Sequence, residues 1–392
     1  MELVCPAGNL PSLKAAVDNG ADAVYIGFKD ETNARHFAGL NFNNKQIEQG
    51  LDYARTRGTK VYVAINTYPQ PDTFAKWETA VDQAAEYGVD ALIVADIGVM
   101  DYASEKWPEL RLHLSVQGSA TSHEAVRFYA EQFGVQRAVA PRVLSVRQVA
   151  SLVDHSPIPI EVFGFGSLCV MVEGRCYLSS YVTGKGPNTF GACSPASFVR
   201  WSETDSKLET RLNGVLIDSV NKDENVGYPT ICKGRFRVNG KTSYAIEEPT
   251  SLNTLPILPD LLRIGVAAIK IEGRQRSPAY VANVTRVLRA AIDSCLSDPD
   301  NFLPDHAWLS ELTSLSEGVQ TTLGAYQREW QLVQQVRPHA WAFPWDRFSI
   351  IGRKKRCSLF IAQSSPHRWI SFTLARPFAP NGVRFATRTG SR

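Results

Sequence analysis

Four cysteines, Cys169, Cys176, Cys193 and Cys232, fall within one 64-residue stretch of this chain. Their settings are Gly166-Ser167-Leu168-Cys169, Glu173-Gly174-Arg175-Cys176-Tyr177, Gly191-Ala192-Cys193-Ser194-Pro195 and Cys232-Lys233-Gly234-Arg235. The amino terminus, Met1-Glu2-Leu3-Val4-Cys5, reads directly as a strand with no secretory pattern, so a reducing compartment is expected and disulfides are not. Thiolates gathered in such a setting suit a soft metal centre. Six, sixteen and thirty-eight residues separate them, and no close cysteine pair of the kind common in structural zinc sites occurs. Dispersed thiolates fit an iron–sulfur cluster, which draws ligands from separate loops. Zinc and unrelated thiols remain the alternatives. Cys295 continues an apolar helix face with Val281, Val284, Leu288 and Ile292 and reads as core. Cys5 ends the first strand, where it either looks into a barrel mouth or is a buried inert thiol.

A second group is Lys270-Ile271-Glu272-Gly273-Arg274. Strand alternation puts Lys270 and Glu272 on one face, and the following turn brings in Arg274. Such a set can hold a carboxylate-bearing substrate, with the planar guanidinium giving paired contacts. A buried ion pair that closes the fold is the competing reading. Tyr25, Asn66, Asp96 and Gln117 stand at the carboxyl ends of other strands as candidate pocket lining. The seven histidines show no metal spacing; His36, His113 and His123 are expected at the surface or in caps. No nucleophile elbow, phosphate loop or His-Glu-x-x-His occurs.

These residues need elements to position them, and the chain supplies a repeated pattern. Short β-branched runs (Leu3–Ala7, 23–27, 61–66, 91–96, 112–117, 138–141, 160–163 and 267–272) alternate with amphipathic helical stretches. Gly20, Gly88, Gly134 and Gly265 each stand where a helix ends and a strand begins within about three residues. Asp72 is the expected cap of one helix, Thr121 with Glu124 the capping box of another, and Ser277 with Pro278 opens the last. Eight such units predict an α/β fold, a (β/α)8 TIM-like barrel. A doubly wound sheet is the alternative, but no Gly-x-Gly-x-x-Gly turn follows the first strand. The expected organisation is a barrel over residues 1–330 with a large cysteine-bearing insertion at about 164–266, before the last strand. That insertion would lie on the carboxyl face, where barrel active sites are built.

Charge divides the chain unevenly. Residues 331–392 carry eleven Arg and Lys against one acid, Asp346, whereas residues 1–330 have a net charge of −7. The acidic body disfavours a nucleic-acid groove, so no nucleic-acid partner is expected. The basic, aromatic 331–392 segment reads as an appendage or as a surface segment for membrane or RNA. No apolar run reaches eighteen residues, so no membrane span is expected, and the reading is a soluble cytoplasmic protein.

Several of these motifs resemble the collagenase-like peptidase family. They are Cys5-Pro-Ala-Gly-Asn-Leu10, Asn33-Ala-Arg-His-Phe-Ala-Gly-Leu40, Gly166-Ser-Leu-Cys169, Glu173-Gly-Arg-Cys176-Tyr-Leu-Ser-Ser-Tyr181 and Lys270-Ile-Glu-Gly-Arg-Gln-Arg-Ser-Pro-Ala-Tyr280. The resemblance covers Met1 to about Trp330 and stops at the basic tail. Within that family it is similar to the branch that acts in oxygen-independent ubiquinone biosynthesis. It implies a [4Fe-4S] cluster on Cys169, Cys176, Cys193 and Cys232, and hydroxylation of the aromatic ring of a polyprenyl-phenol precursor. It also implies prephenate as oxygen donor, a heterodimer with a UbiV-like protein, and a lipid-carrying accessory protein that presents the substrate. Asn66, Gln117, Lys270, Glu272 and Arg274 are the candidate substrate residues. RNA-base hydroxylation by a sister enzyme is one alternative. Peptide hydrolysis is the other, but it needs a nucleophile with its base, or an open zinc–water site, and neither is legible here.

Overall fold

The computed structural model describes residues 1–327 apart from Ala38, Asn225 and Val226, together with the backbone of residues 358–362 and 369–373. The first part of the chain runs β1 (Glu2–Pro6), α1 (Leu10–Asp18), β2 (Ala23–Ile26), α2 (Asn44–Arg55), β3 (Lys60–Ile65), α3 (Phe74–Glu86), β4 (Ala91–Val94) and α4 (Ile97–Lys106). It continues with β5 (Leu112–Leu114), α5 (His123–Phe133), β6 (Val135–Val139), α6 (Val146–His155) and β7 (Ile160–Ser167). Next come α7 (Leu178–Thr183), β8 (Val199–Glu203), β9 (Lys207–Leu212), β10 (Val215–Asn221), β11 (Phe236–Val238), β12 (Lys241–Ser243) and β13 (Ser251–Asn253). The barrel resumes with α8 (Leu258–Ile264), β14 (Ala268–Ile271) and α9 (Pro278–Ser297), followed by α10 (His306–Ser314) and β15 (Thr321–Thr322).

Strands β1 to β7 pair in parallel in chain order, and β14 pairs in parallel with both β7 and β1. Eight parallel strands therefore close on themselves, as the alternating pattern predicts. The period of two sorts each strand into an outer and an inner row. Leu3, Cys5, Val24, Ile26, Val61, Val63 and Ile65 join the apolar layer under the helices. Val4, Tyr25, Tyr62, Ala64, Ala91, Ile93 and Ala268 pack together on the inner side. Cys5 thus belongs to the helix layer, where its sulfur accepts from Thr285 Oγ1 at 3.3 Å, and it does not face the mouth. Cys295 is core on α9, as its spacing indicates.

The small inner residues leave room for a chain of charges. Lys270 Nζ meets Glu161 Oε1 at 2.7 Å, Arg137 reaches Glu161 at 3.5 Å and Glu2 at 2.6 Å, and Lys60 meets Glu2 at 2.5 Å. His113 lies edge-on to Tyr62, with ring centres 4.8 Å apart, and is buried. The expectation of a surface or capping role for His113 is therefore wrong: it sits between Leu112 and Leu114 on a strand, and alternation turns it inward.

Helix ends follow the sequence closely. Gly20, Gly88, Gly134 and Gly265 all take positive φ at the junctions. Ser277 caps α9 by accepting from Tyr280 N. Two caps are displaced by one residue. Thr73, with no side-chain cap bond, occupies the cap position of α3 in place of Asp72. Ser122 caps α5 by accepting from Ala125 N, so Thr121 and Glu124 form no capping box. Strand β6 starts at Val135, directly after Gly134, rather than at Ala138.

The segment between β7 and β14 has its own architecture. Strands β8, β9 and β10 form an antiparallel sheet, and β11 pairs with β12. Val199, Leu212 and Ile217 give it a small core. Strand β13 returns to the barrel and pairs antiparallel with the end of β7, covering Phe165 to Ser167. Residues 334–392 form a separate unit, in which residues 358–362 and 369–373 pair as an antiparallel ribbon. Cys357 and most of the basic tail lie outside the described residues. No helix among the described residues is long and apolar enough to cross a membrane.

Candidate functional site

Each of the four cysteines stands on its own loop. Cys169 follows β7, Cys176 precedes α7, Cys193 precedes β8, and Cys232 lies in a tight turn ahead of β11. All four are free thiols. Cys193 lies within electrostatic reach of the other three, and Cys176 within reach of Cys232. A negative Cys193 raises the pKa of Cys169, Cys176 and Cys232, and Cys176 does the same to Cys232. Burial is the larger cause in each case. It pushes Cys169 up to about 12, with Glu173 adding to the shift and Arg142 opposing it. Three of these thiols thus resist becoming thiolates without a nearby positive centre. Among the described residues no three His, Cys, Asp or Glu side chains gather closely enough for a single metal ion.

The loop between Cys169 and Cys176 is tied to the barrel at several points. Arg142, just past β6, donates from Nε to Glu173 Oε1 at 2.6 Å and from Nη1 to the Ser167 carbonyl. Its guanidinium lies 4.3 Å from the centre of the Phe163 ring. Ser119 Oγ donates to Glu173 O at 2.6 Å. Gly174 has a left-handed φ of 91°, and a Cβ there would come within 2.0 Å of Gln117 O. Only glycine permits that approach. Asn188 Nδ2 donates to Gly174 O at 2.9 Å, and Tyr68 N donates to Asn188 O at 2.7 Å. The Cys193 loop is seated on the segment after β2, because a Cβ on Gly191 would come within 2.6 Å of Asn33 O.

That segment brings Arg35 beside the cysteines and the end of β14. Arg35 Nη2 donates to Glu272 Oε1 at 3.3 Å, and Cys193 also acts on its charge. Burial raises the Glu272 carboxyl, but Arg35 and Arg142 outweigh it and hold the group below the usual carboxylate range. Arg274 is buried and donates from Nη1 to Asn33 Oδ1 at 3.1 Å. Three arginines and two carboxylates therefore line the rim next to the thiols.

The sequence candidates divide between rim and floor. Glu272 and Arg274 lie on the rim. Lys270 lies deeper, paired with Glu161 and 4.2 Å from the centre of the Tyr25 ring, which is the buried ion pair weighed from sequence. Asn66 accepts from Ala34 N at 2.9 Å and donates to Ser115 Oγ at 3.0 Å, so its amide ties the Arg35 segment in place. Gln117 is buried in the turn after β5, and its Oε1 has no partner. Tyr25 donates to Ile271 O at 2.8 Å, and Asp96 caps α4 through Val99 N. Asn33, Arg35, Arg142 and Glu173 escaped the residue-by-residue reading of the sequence. Arg142 carried a usable signal, a charge immediately beyond a strand's carboxyl end.

The chain is similar to several known proteins. The model for peptidase family U32 matches residues 8–330. The tRNA hydroxylation protein P1 of Bacillus subtilis (strain 168) is 32% identical over 79% of this chain and 67% of its own. The tRNA hydroxylation protein P of Escherichia coli (strain K12) is 30% identical over 74% of this chain and 68% of its own. The 23S rRNA 5-hydroxycytidine C2501 synthase of the same organism is 28% identical, over 76% of this chain and 40% of that protein. The chain thus spans about two thirds of the first two relatives and less of the third. The match ends where the basic tail begins, and the four cysteines and the arginine rim lie inside it. The chain belongs to peptidase family U32.

Proposed function

We propose that this chain is the cluster-bearing subunit of an oxygen-independent hydroxylase. Within the family its motifs resemble UbiU, which makes the aromatic ring of a ubiquinone precursor the substrate and a UbiV-like protein the partner. What supports the reading is four free thiols on four loops, three of them within electrostatic reach of Cys193, which also acts on Arg35 of a basic rim. Four cysteine donors on separate loops suit a four-iron, four-sulfur cluster in number and chemistry, because such a cluster is held by four thiolates. Cys169, Cys176, Cys193 and Cys232 would hold the cluster, and it would supply one-electron chemistry. The chain's own contribution is to fix the ligand loops through Arg142, Glu173 and Asn188, and to present positive charge to an acidic co-substrate such as prephenate. A lipid-carrying accessory protein would deliver the polyprenyl substrate.

Names of the relatives support hydroxylation and favour RNA as the substrate class to exclude. The acidic balance of residues 1–330 weighs against RNA. The peptidase reading lacks a cluster of three metal ligands among the described residues. The deciding experiment deletes the gene and grows the cells without oxygen. Loss of ubiquinone with unchanged hydroxylated nucleosides in tRNA and rRNA is the expected result. Unchanged ubiquinone with loss of one such nucleoside would move the chain to its RNA-acting relatives.

A further inference from the structure

Arg274 is 3% exposed, yet its guanidinium makes no ion pair among the described residues. Its one neighbour by hydrogen bond is the neutral Asn33, and its buried Nε has no acceptor. The other two arginines of the rim are answered: Arg35 by Glu272 at 3.3 Å and Arg142 by Glu173 at 2.6 Å. Burial lowers Arg274 to about 10, which still leaves it charged at neutral pH. An unpaired ion held out of water is destabilising, and no carboxylate among the described residues pairs with this one.

The surroundings are built to keep this guanidinium in place. Asn33 is fully buried, and its Nδ2 donates to Phe28 O at 2.7 Å and to Asp30 O at 3.2 Å. Its Oδ1 is thereby aimed at Arg274, and it also accepts from Arg35 N at 3.2 Å. Close approach is possible because two neighbours are glycines. A Cβ on Gly27 would come within 2.5 Å of Arg274 Nη1, and one on Gly8 within 1.8 Å of its carbonyl oxygen. The Tyr25 ring flanks the guanidinium at 5.7 Å. The backbone N of Arg35 shares the Asn33 oxygen, and the Arg35 side chain keeps 24% of its surface exposed.

We propose that Arg274 anchors one carboxylate of a small organic acid, with Asn33 as the residue that positions the guanidinium. The planar fork suits a carboxylate's two oxygens. A phosphate of a nucleic-acid backbone cannot reach a side chain buried this deeply. The proposal deepens the hydroxylase reading and rests on it for the identity of the acid alone.

Titration calorimetry on the full chain, purified without oxygen, tests it with prephenate, phenylpyruvate and inorganic phosphate as probes. The wild type should bind the two carboxylates saturably and phosphate more weakly. Arg274→Met should weaken carboxylate binding by about thirtyfold or more, and Arg274→Lys, which keeps charge without the fork, should fall between. The ligand-free Arg274→Met protein should melt at or above the wild-type temperature, because an unanswered buried charge has gone. A lower melting temperature with unchanged binding would make Arg274 structural and overturn the proposal. So would tightest binding of phosphate, or no binding of any probe to the wild type. Equal prephenate binding by wild type and Arg274→Met would leave the donor standing and remove this subsite. Binding of phenylpyruvate alone, lost in Arg274→Met, would keep the subsite and remove prephenate as donor.

Discussion

At the residue scale the barrel interior explains more than the rim about response to acid. His113 is lowered from its ordinary 6.5 to about 3, first by burial and then by the charges of Arg137 and Lys270. In the unfolded chain the ring takes up a proton near 6.5, whereas the folded barrel keeps it neutral until about 3. The unfolded state therefore binds more protons across that window, and stability falls as the pH is lowered through it. His113→Phe keeps the ring's shape against Tyr62 and removes the titrating group. Urea unfolding from pH 7 to pH 4 should show a shallower loss of stability in this variant. An unchanged slope would mean that other groups carry the acid response. The inward turn of His113 follows from alternation in Leu112-His113-Leu114, yet lone histidines on short strands give little warning of burial.

At the element scale, the barrel was readable because one grammar repeats. A glycine ends each of several helices, a β-branched run follows, and the inner and outer rows separate by period. Asp72 and Thr121 each stand one residue before the position that takes the cap, Thr73 and Ser122, a shift within the usual spread of helix ends. The insertion was the less legible part, although its hairpins were written plainly. Asn213-Gly214 and Asn239-Gly240 both take positive φ, at 47° and 83° and at 50° and 81°, and each joins two antiparallel strands. Asn-Gly between strand-like runs is a strong hairpin signal. Sheet-forming runs this short carry weak periodicity. What sequence could not place was the lacing of the Cys169–Cys176 loop onto Gln117, Ser119 and Arg142, contacts that join distant parts of the chain. Gly174→Ala tests that lacing. The new methyl meets Gln117 O in a left-handed backbone, a strain of about 2 kcal/mol or more. Limited proteolysis should cut between Cys169 and Cys193 faster than in the wild type, while the barrel's own melting changes little. Equal cleavage rates would show that the loop does not depend on this contact.

At the scale of the whole molecule, a closed barrel carries a chain of charges inside and a separate charged rim beside the cysteine loops. The inner chain from Lys60 through Glu2, Arg137, Glu161 to Lys270 is self-neutralising in part and fills the space that small inner residues leave. The rim is different: it has three arginines for two carboxylates and stands against four thiols. Seven of the residues that define that face (Cys169, Cys176, Glu173, Asn33, Arg35, Glu272 and Arg274) lie in motifs by which the chain resembles its family. The basic tail adds a separate unit beyond the family match. Metal content tests the account most directly. The full chain is purified without oxygen and analysed for iron, acid-labile sulfide and zinc, alongside a Cys176→Ala variant. The account predicts about four irons and four sulfides per wild-type chain, lost in the variant. Stoichiometric zinc without sulfide, or iron retained unchanged in Cys176→Ala, would contradict it.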